Sequence, residues 1–557
     1  MRSRRGFVSL RGALTLAAVL AVAYFALLPL TLVLRSALQG ESPWSSFRAV
    51  LERPANHSAL ASTLWVSSGT ALLAVLIGLP MGWLVAGTDL PGGRLFRSLL
   101  SLPYTVPPYI GALAWTYLAS DRTGWINVAA RSLGFQGPLV NVYSMSGIVL
   151  VQGVFFAPLV LMGVAEACAR IDGALLEAAR VSGASPARAV ADVVWPLVRR
   201  AAVGGALLAF LASGASYGVP ALLGPSARPP VTVLTTRIKA YIDMHTTRGF
   251  GQATALSAML FCIALLFPLA SAFADPSASS AATRPTSTAI TRLGGLRWPA
   301  ALLASGLFLV TVALPFGALV LSSLITEASH GLTASNLSLV HWKTVLGRGT
   351  VLAAIGHSLL LAAGAATVAL VVGGLLAYHE VRSPSRWRWL PPLMAAIPYG
   401  TPGTVLAIGL ILAFISDAWG LNLYGSLWLL LVAYTIKELA LAYRLVREGL
   451  LSVHPSLEEA ARISGAGWGR AVRDVLVPMM AGHLAAAWFL VFMPSIGELT
   501  MSVLLFGPDT ETVGTVLFAL TSYEDPAAAS VLAVLVVTIV VALNLFVRKL
   551  SRGRYGI

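Results

Sequence analysis

Charge is what this 557-residue chain has least of: Asp, Glu, Lys and Arg make up 11% of it, against about 25% in a soluble domain. With 57% hydrophobic residues, so depleted a chain cannot face water all round, and a soluble globular protein is excluded. Cysteine is scarce too. Cys168 and Cys262 are the only two. One falls in a polar loop and the other inside an apolar run, so neither a disulfide nor a thiolate metal site is expected. Lysine occurs four times, at Lys239, Lys343, Lys437 and Lys549, never after a glycine. A G-x-x-x-x-G-K-[ST] phosphate loop is therefore absent, and with it the usual means of hydrolysing ATP. The net charge of +15 does not signal a nucleic-acid partner, because the basic residues sit in short clusters between apolar runs.

Those apolar runs are the main feature. They fall near 13–34, 59–86, 98–119, 145–167, 201–223 and 252–274, and again near 299–325, 351–377, 391–415, 425–446, 483–506 and 528–547. A bilayer core takes about 20 apolar residues per helix, and unpaired backbone groups are not tolerated in lipid, so each run reads as a membrane helix. The first run exceeds the 7–15 residues of a signal-peptide core and is expected to be retained. With both termini placed in the cytoplasm, 26 of the 38 Lys and Arg lie on the cytoplasmic side, as the positive-inside rule requires. The expected class is an all-α integral membrane protein of about 12 transmembrane helices. It divides into a first six-helix unit (1–274), a Ser/Thr/Ala/Pro-rich cytoplasmic linker (275–297) and a second six-helix unit (298–557).

The two units repeat each other. "EAARVSGASPARAVADVVWPL" (Glu177 to Leu197) and "EAARISGAGWGRAVRDVLVPM" (Glu459 to Met479) match at 13 of 21 positions, 282 residues apart. Pro103, Tyr104 and Pro107 recur as Pro398, Tyr399 and Pro402, and Gly224-Pro225 recurs as Gly507-Pro508. Six spans per unit is an even number, so the repeats insert the same way and share a pseudo-two-fold axis along the membrane normal. Each long repeated segment reads as a short helix, a glycine bend and a second helix. Asp172 is the expected N-cap of the first copy, and Ser456 with Glu459 has capping-box spacing in the second. Gly183 and Gly465 suit a left-handed helix stop, and Ser185-Pro186 restarts the chain. The small Ala178, Ala179, Ala460 and Ala461 would let a partner surface approach closely, whereas a membrane-surface helix would carry bulky apolar residues. A polar loop is ordinary in any polytopic protein; the same polar loop at equal depth in two repeats is not.

The Glu-Ala-Ala pattern, with Gly six residues after the Glu and Pro thirteen after that Gly, resembles the EAA loop of ABC importer permeases. Glu177, Ala178, Ala179, Gly183 and Pro196 match, as do Glu459, Ala460, Ala461, Gly465 and Pro478; Trp195 departs from the family pattern. The doubled loop resembles the fused permeases of ferric iron and thiamine importers. The resemblance implies a type I importer permease in a bacterial inner membrane. It also implies two ABC ATPase subunits on the cytoplasmic face, where ATP and magnesium would be bound, and one extracytoplasmic substrate-binding protein. This chain itself would need no cofactor and catalyse nothing. Ferric iron is the first cargo implied, with thiamine, phosphorylated small molecules and polyamines as alternatives.

The paired Pro-Tyr-x-x-Pro motifs lie early in spans 3 and 9, where proline kinks suit a central path, although packing kinks would look the same. Glu498 is the lone acid of the outer segment 494–508, set either to meet a cation or partner arginine or simply to face water. The competing class is a proton-coupled carrier of the major-facilitator type, also built of two parallel halves. "TDLPGGR" (Thr88 to Arg94) faintly resembles that class's Asp-x-x-Gly-Arg loop, and Lys437-Glu438 lies within a span, where it reads as a self-neutralising pair rather than a proton relay.

Overall fold

A computed structural model of the chain describes residues 10–38, 44–274, 290–327, 333–383, 385–415 and 421–550. Helices account for almost all of it. Eight are long and apolar enough to cross a bilayer: Gly12–Ala37, Pro54–Gly87, Met145–Ala169, Ala187–Ala215, Thr247–Leu265, Gly294–Ser322, Gly349–Arg382 and Pro526–Phe546. Two bent pairs, Leu390–Gly400 with Gly403–Phe414 and Trp468–Met479 with Ala481–Ile496, bring the number to ten. The other two expected spans are present as helices that depart from the simple pattern. Span 3 is the pair Gly93–Thr105 and Pro108–Ala119, each short. Span 10, Leu427–Ser452, is long enough but carries Lys437, Glu438, Arg444, Arg447 and Glu448. All twelve expected crossings therefore have a helix.

Proline shapes these helices in a regular way. Five π-turns occur among the described residues, and each ends two residues before a proline. Ala23–Leu27 precedes Pro29, Val190–Val194 precedes Pro196, and Leu309–Ala313 precedes Pro315; Val472–Leu476 precedes Pro478 and Leu520–Glu524 precedes Pro526. A proline ring clashes with the carbonyl four residues back; widening the preceding turn by one residue moves that carbonyl away. Span 5 thus runs unbroken from Ala187 through Pro196, instead of starting near 201. In the second repeat the corresponding helix bends by 81° at Met480.

The halves interlock rather than sitting as separate units. The first helix of each repeat crosses to the other: Leu28–Ala37 packs along Gly403–Phe414 of span 9, and Leu314–Ser322 packs along Pro108–Ala119 of span 3. Tyr24 and Phe25 meet Phe414 at ring-centroid distances of 5.7 Å each. A side chain at Gly409 would come 2.7 Å from the Pro29 carbonyl oxygen, so glycine sets this crossing distance. The linker is not free along its whole length either. Its residues 275–289 lie outside the described part, but Thr291 pairs with Thr88, its N–H donating to Gly87 O at 2.8 Å, and Leu293 N–H donates to Asp89 Oδ1 at 2.7 Å. The acidic residue of "TDLPGGR" therefore anchors the end of the linker.

Candidate functional site

The repeated loops fold alike. Gly173–Val181 and Pro455–Ile463 are nine-residue helices that follow spans 4 and 10. Asp172 caps the first, its Oδ1 accepting from Ala174 N–H at 3.0 Å. In the second, the expected Ser456/Glu459 capping box does not form. The N-cap is His454, whose Nδ1 takes the Ser456 N–H at 3.3 Å, because Pro455 occupies the first helical position and moves the cap back by two residues. Both helices end in the same way. Gly183 (φ +80°) donates to Arg180 O and Ala184 to Ala179 O; Gly465 (φ +85°) donates to Arg462 O and Ala466 to Ala461 O, all at 2.9–3.0 Å. This paired closure needs a left-handed residue, where a β-carbon costs about 1–2 kcal/mol. Ser185 Oγ then accepts from Arg188 N–H at 3.3 Å and restarts the chain.

Glu177, Ala178, Glu459 and Ala460 are exposed, while Ala179 and Ala461 are half-buried. Each helix also presents an apolar stripe to solvent: Leu175, Ala178 and Val181 in one, Leu457, Ala460 and Ile463 in the other. Val181 is 90% exposed and Ile463 88%. Glu177 and Arg180 flank the first stripe, Glu459 and Arg462 the second.

Underneath, the two loops are seated differently. Leu176 seats the first in an apolar cluster with Cys168, Ile171, Val194 and Trp83. At the matching position of the second stands Glu458, buried. The Tyr378 hydroxyl and Arg462 Nη2 both donate to its Oε1, the latter at 2.6 Å, and Arg382 Nε lies 3.7 Å from Oε2. Arg382 also donates to Leu450 O and Val453 O at 2.9 and 2.6 Å, and Trp468 packs edge-on against Tyr378 at 5.8 Å. Sequence reasoning chose the exposed Glu459 and passed over its buried neighbour. The one available signal was a second carboxylate where the first repeat has leucine.

The Pro-Tyr-x-x-Pro motifs break spans 3 and 9. The helix ends at Thr105 and resumes at Pro108, with Val106 and Pro107 extended; in the second repeat it ends at Gly400 and resumes at Gly403 after a 104° bend. Pro103 and Pro398 sit inside the first segments, while Pro107 and Pro402 are the N-caps of the second. The break brings Tyr104 and Tyr399, one from each half, into contact through their phenols. Lys437 stabilises the break in span 9: its ammonium donates to Tyr399 O at 3.0 Å and Thr401 O at 2.7 Å. Carbonyls at a helix end lack intrahelical partners and favour a cation. Lys437 and Glu438 make no contact ion pair among the described residues, since adjacent helical residues point about 100° apart. Each is still the leading charge acting on the other, so they compensate through space while the ammonium's hydrogen bonds go to span 9.

Glu498 is not simply a solvated loop residue. Its carboxylate accepts from Met501 N–H at 2.8 Å, Ser502 N–H at 2.9 Å and Ser502 Oγ at 2.7 Å, capping the short turn Ser502–Leu505. Tyr434 Oη lies 2.7 Å from the same Ser502 Oγ. One residue earlier, a side chain on Gly497 would strike Pro107 of span 3 at 2.3 Å. The turn held by Glu498 is therefore packed against the break in the other half.

Two repeats of six helices, interlocked through their first spans and each carrying a protruding loop helix, define a multi-pass transport permease. The chain belongs to the family described as binding-protein-dependent transport system inner membrane component, matched at residues 74–279 and again at 369–554. It is 25% identical to a probable ABC transporter permease, y4fN of Sinorhizobium fredii, over 96% of this chain and 95% of that one. It is 30% identical to the putative 2-aminoethylphosphonate transport system permease PhnU of Salmonella typhimurium, over 37% of this chain and 73% of that protein. To PhnV of the same organism it is 26% identical, over 46% of this chain and 95% of that one. A crystal structure of a bacterial ABC transporter that imports alginate aligns at a TM-score of 0.37 and 16% identity, covering 45% of this chain and 95% of that one. The protein is thus a multi-pass inner-membrane permease subunit of an ABC importer, not itself an enzyme.

Proposed function

We propose that this chain forms the path by which a binding-protein-dependent importer takes up a small phosphonated or phosphorylated solute. Two separate ATPase subunits, which bind ATP and magnesium, each grip one loop helix, Gly173–Val181 or Pro455–Ile463. One substrate-binding protein docks on the opposite face, and both termini lie in the cytoplasm. The observation that carries this reading is the repeated exposed stripe, Leu175/Ala178/Val181 and Leu457/Ala460/Ile463. Among the described residues nothing covers these two branched side chains at matching positions, and burying each in a groove contributes about 1.5–3 kcal/mol. Glu177 and Glu459 then face basic residues of that groove.

The cargo passes between the halves at the Tyr104–Tyr399 contact, where the broken helices of both repeats meet. Neither ferric iron nor thiamine, the cargoes implied by the resemblance, is named for the relatives reported above; 2-aminoethylphosphonate is. A facilitator-type carrier gains nothing from the structure, since Asp89 of the facilitator-like segment is engaged by the linker. The test is co-purification of tagged permease with its ATPase. Val181→Asp and Ile463→Asp together should release the ATPase while leaving the permease in the membrane. Retention at wild-type stoichiometry would refute the docking.

A further inference from the structure

Two arginines meet around one buried phenol on the face opposite the loop helices. Arg53 caps the start of span 2, Pro54–Gly87, and Arg237 lies on the short helix Leu234–Ile242 between spans 5 and 6. Successive spans alternate in direction, so both residues lie on the side away from Gly173–Val181 and Pro455–Ile463. Both guanidinium groups are half-buried, and each donates to Tyr241 Oη at 3.4 Å. They lie over the same ring, 5.8 Å (Arg53) and 4.8 Å (Arg237) from its centroid. Arg237 Nε also donates to Asn56 Oδ1 at 3.0 Å, which accepts from Tyr241 Oη at 3.1 Å; Asn56 Nδ2 donates to Val50 O at 2.8 Å. Tyr241 and Asn56 are buried, so the two cations rest on a fixed base. No acid neutralises them. Asp243, on the same helix, is taken by Lys239, and among the described residues no ion pair reaches Arg53 or Arg237. Like charges held together away from bulk water repel unless an anion joins them.

We propose that Arg53 and Arg237 form a docking point for a carboxylate side chain of the substrate-binding protein. This rests on the permease reading above and adds the chemistry of one partner contact. A guanidinium has five N–H donors. Arg53 uses one here and Arg237 two, so most are left for an incoming carboxylate, whose two oxygens match the planar fork. Stacked on Tyr241, the forks also lose little freedom on binding. The site is one-sided. Arg348, ahead of span 8, matches Arg53, but Val516 and Leu520 stand where Arg237 and Tyr241 stand in the first half. The docking helix is tied inward as well. Leu234 N–H donates to Thr63 Oγ1 at 2.8 Å, and Thr235 Oγ1 donates to Ser216 O at 2.9 Å. A side chain on Gly218, two residues beyond, would come 2.7 Å from Tyr109, just past the break in span 3. A carboxylate seated on the two arginines therefore engages a helix that is linked to that break.

The experiment uses the full chain with its ATPase subunits in nanodiscs and measures binding of the importer's own substrate-binding protein at low and high salt. The wild-type complex should bind it, and salt should weaken the binding. Arg53→Gln with Arg237→Gln should weaken it at low salt by at least about tenfold, the worth of one charge-assisted hydrogen bond, and flatten the salt dependence. Arg53→Lys with Arg237→Lys keeps the charge without the fork, and should retain the salt dependence with part of the affinity. Lys239→Gln, on the same helix but already paired with Asp243, should change affinity less than about twofold. Undiminished binding in the glutamine pair, a loss as large in the lysine pair or in Lys239→Gln, or no binding to the wild type would overturn the proposal. So would binding of free 2-aminoethylphosphonate, without the binding protein, that the glutamine pair abolishes, since the arginines would then take the anion itself. Retention of the ATPase on the wild-type permease is scored separately in the same preparation; its loss would undo the permease reading instead.

Discussion

Truncating Glu458 to alanine should loosen the second loop helix and leave the first untouched. The Glu458 side chain is 7% exposed and that of Arg382 10%, so this contact lies out of water; Arg462, at 45%, is half in solvent. The exposed arm contributes about 0–1 kcal/mol. Leaving a buried charge without its partner costs about 3–5 kcal/mol, but Arg382 keeps two carbonyl acceptors after the substitution, which lowers the cost to about 2–3 kcal/mol. Local stability of that size appears as faster amide exchange over residues 455–463, by roughly 30- to 150-fold. Residues 173–181, seated by Leu176, should exchange at the wild-type rate. Glu459→Ala, one position along but exposed, should change exchange by less than threefold, about 0.5 kcal/mol. Wild-type exchange in Glu458→Ala, or a larger effect from Glu459→Ala, would refute the assignment of Glu458 as the seat of this loop.

Gly183→Ala and Gly465→Ala should each cost about 1–2 kcal/mol of loop-helix stability and no more, since a β-carbon there meets no atom within 4 Å; hydrogen exchange of the same segments measures it. Gly183→Asp and Gly465→Asp, and the charge reversals Glu177→Lys and Glu459→Lys, should leave the permease inserted but reduce co-purifying ATPase. Glu498→Gln should lower the thermal midpoint and impair uptake without preventing assembly, because the amide offers one acceptor oxygen where the carboxylate has two; the loss is about 1–2 kcal/mol. Normal uptake and an unchanged midpoint would reduce this capping network to ornament.

Much of this architecture could be read directly. The glycine bends at Gly183 and Gly465 were legible because their cause is local: a short helix, a residue free to take positive φ, and a restart. The twelve crossings were legible because apolar length is a one-dimensional signal, and span 10 survived as a helix despite its five charged residues. Proline misled more than once. The fifth apolar run begins near 201, past Pro196, yet a π-turn absorbs that proline and the helix runs from Ala187. Pro455 displaced the expected cap to His454. What sequence could not show was tertiary pairing. Glu458 and Glu459 differ only in which side of one helix turn faces Tyr378. Lys437 and Glu438 read as a pair because they are adjacent, but the lysine's hydrogen bonds go to carbonyls 36 and 38 residues earlier, at the break in span 9. The exchange of first helices between halves leaves no local trace at all.

The most direct test of the central claim is energised uptake in proteoliposomes that contain the permease, its ATPase subunits and its binding protein. Uptake of 2-aminoethylphosphonate should require ATP, stop with vanadate, and continue in the presence of a proton ionophore. Uptake that runs without the ATPase and collapses with the ionophore would show a secondary carrier and contradict the reading of both loops.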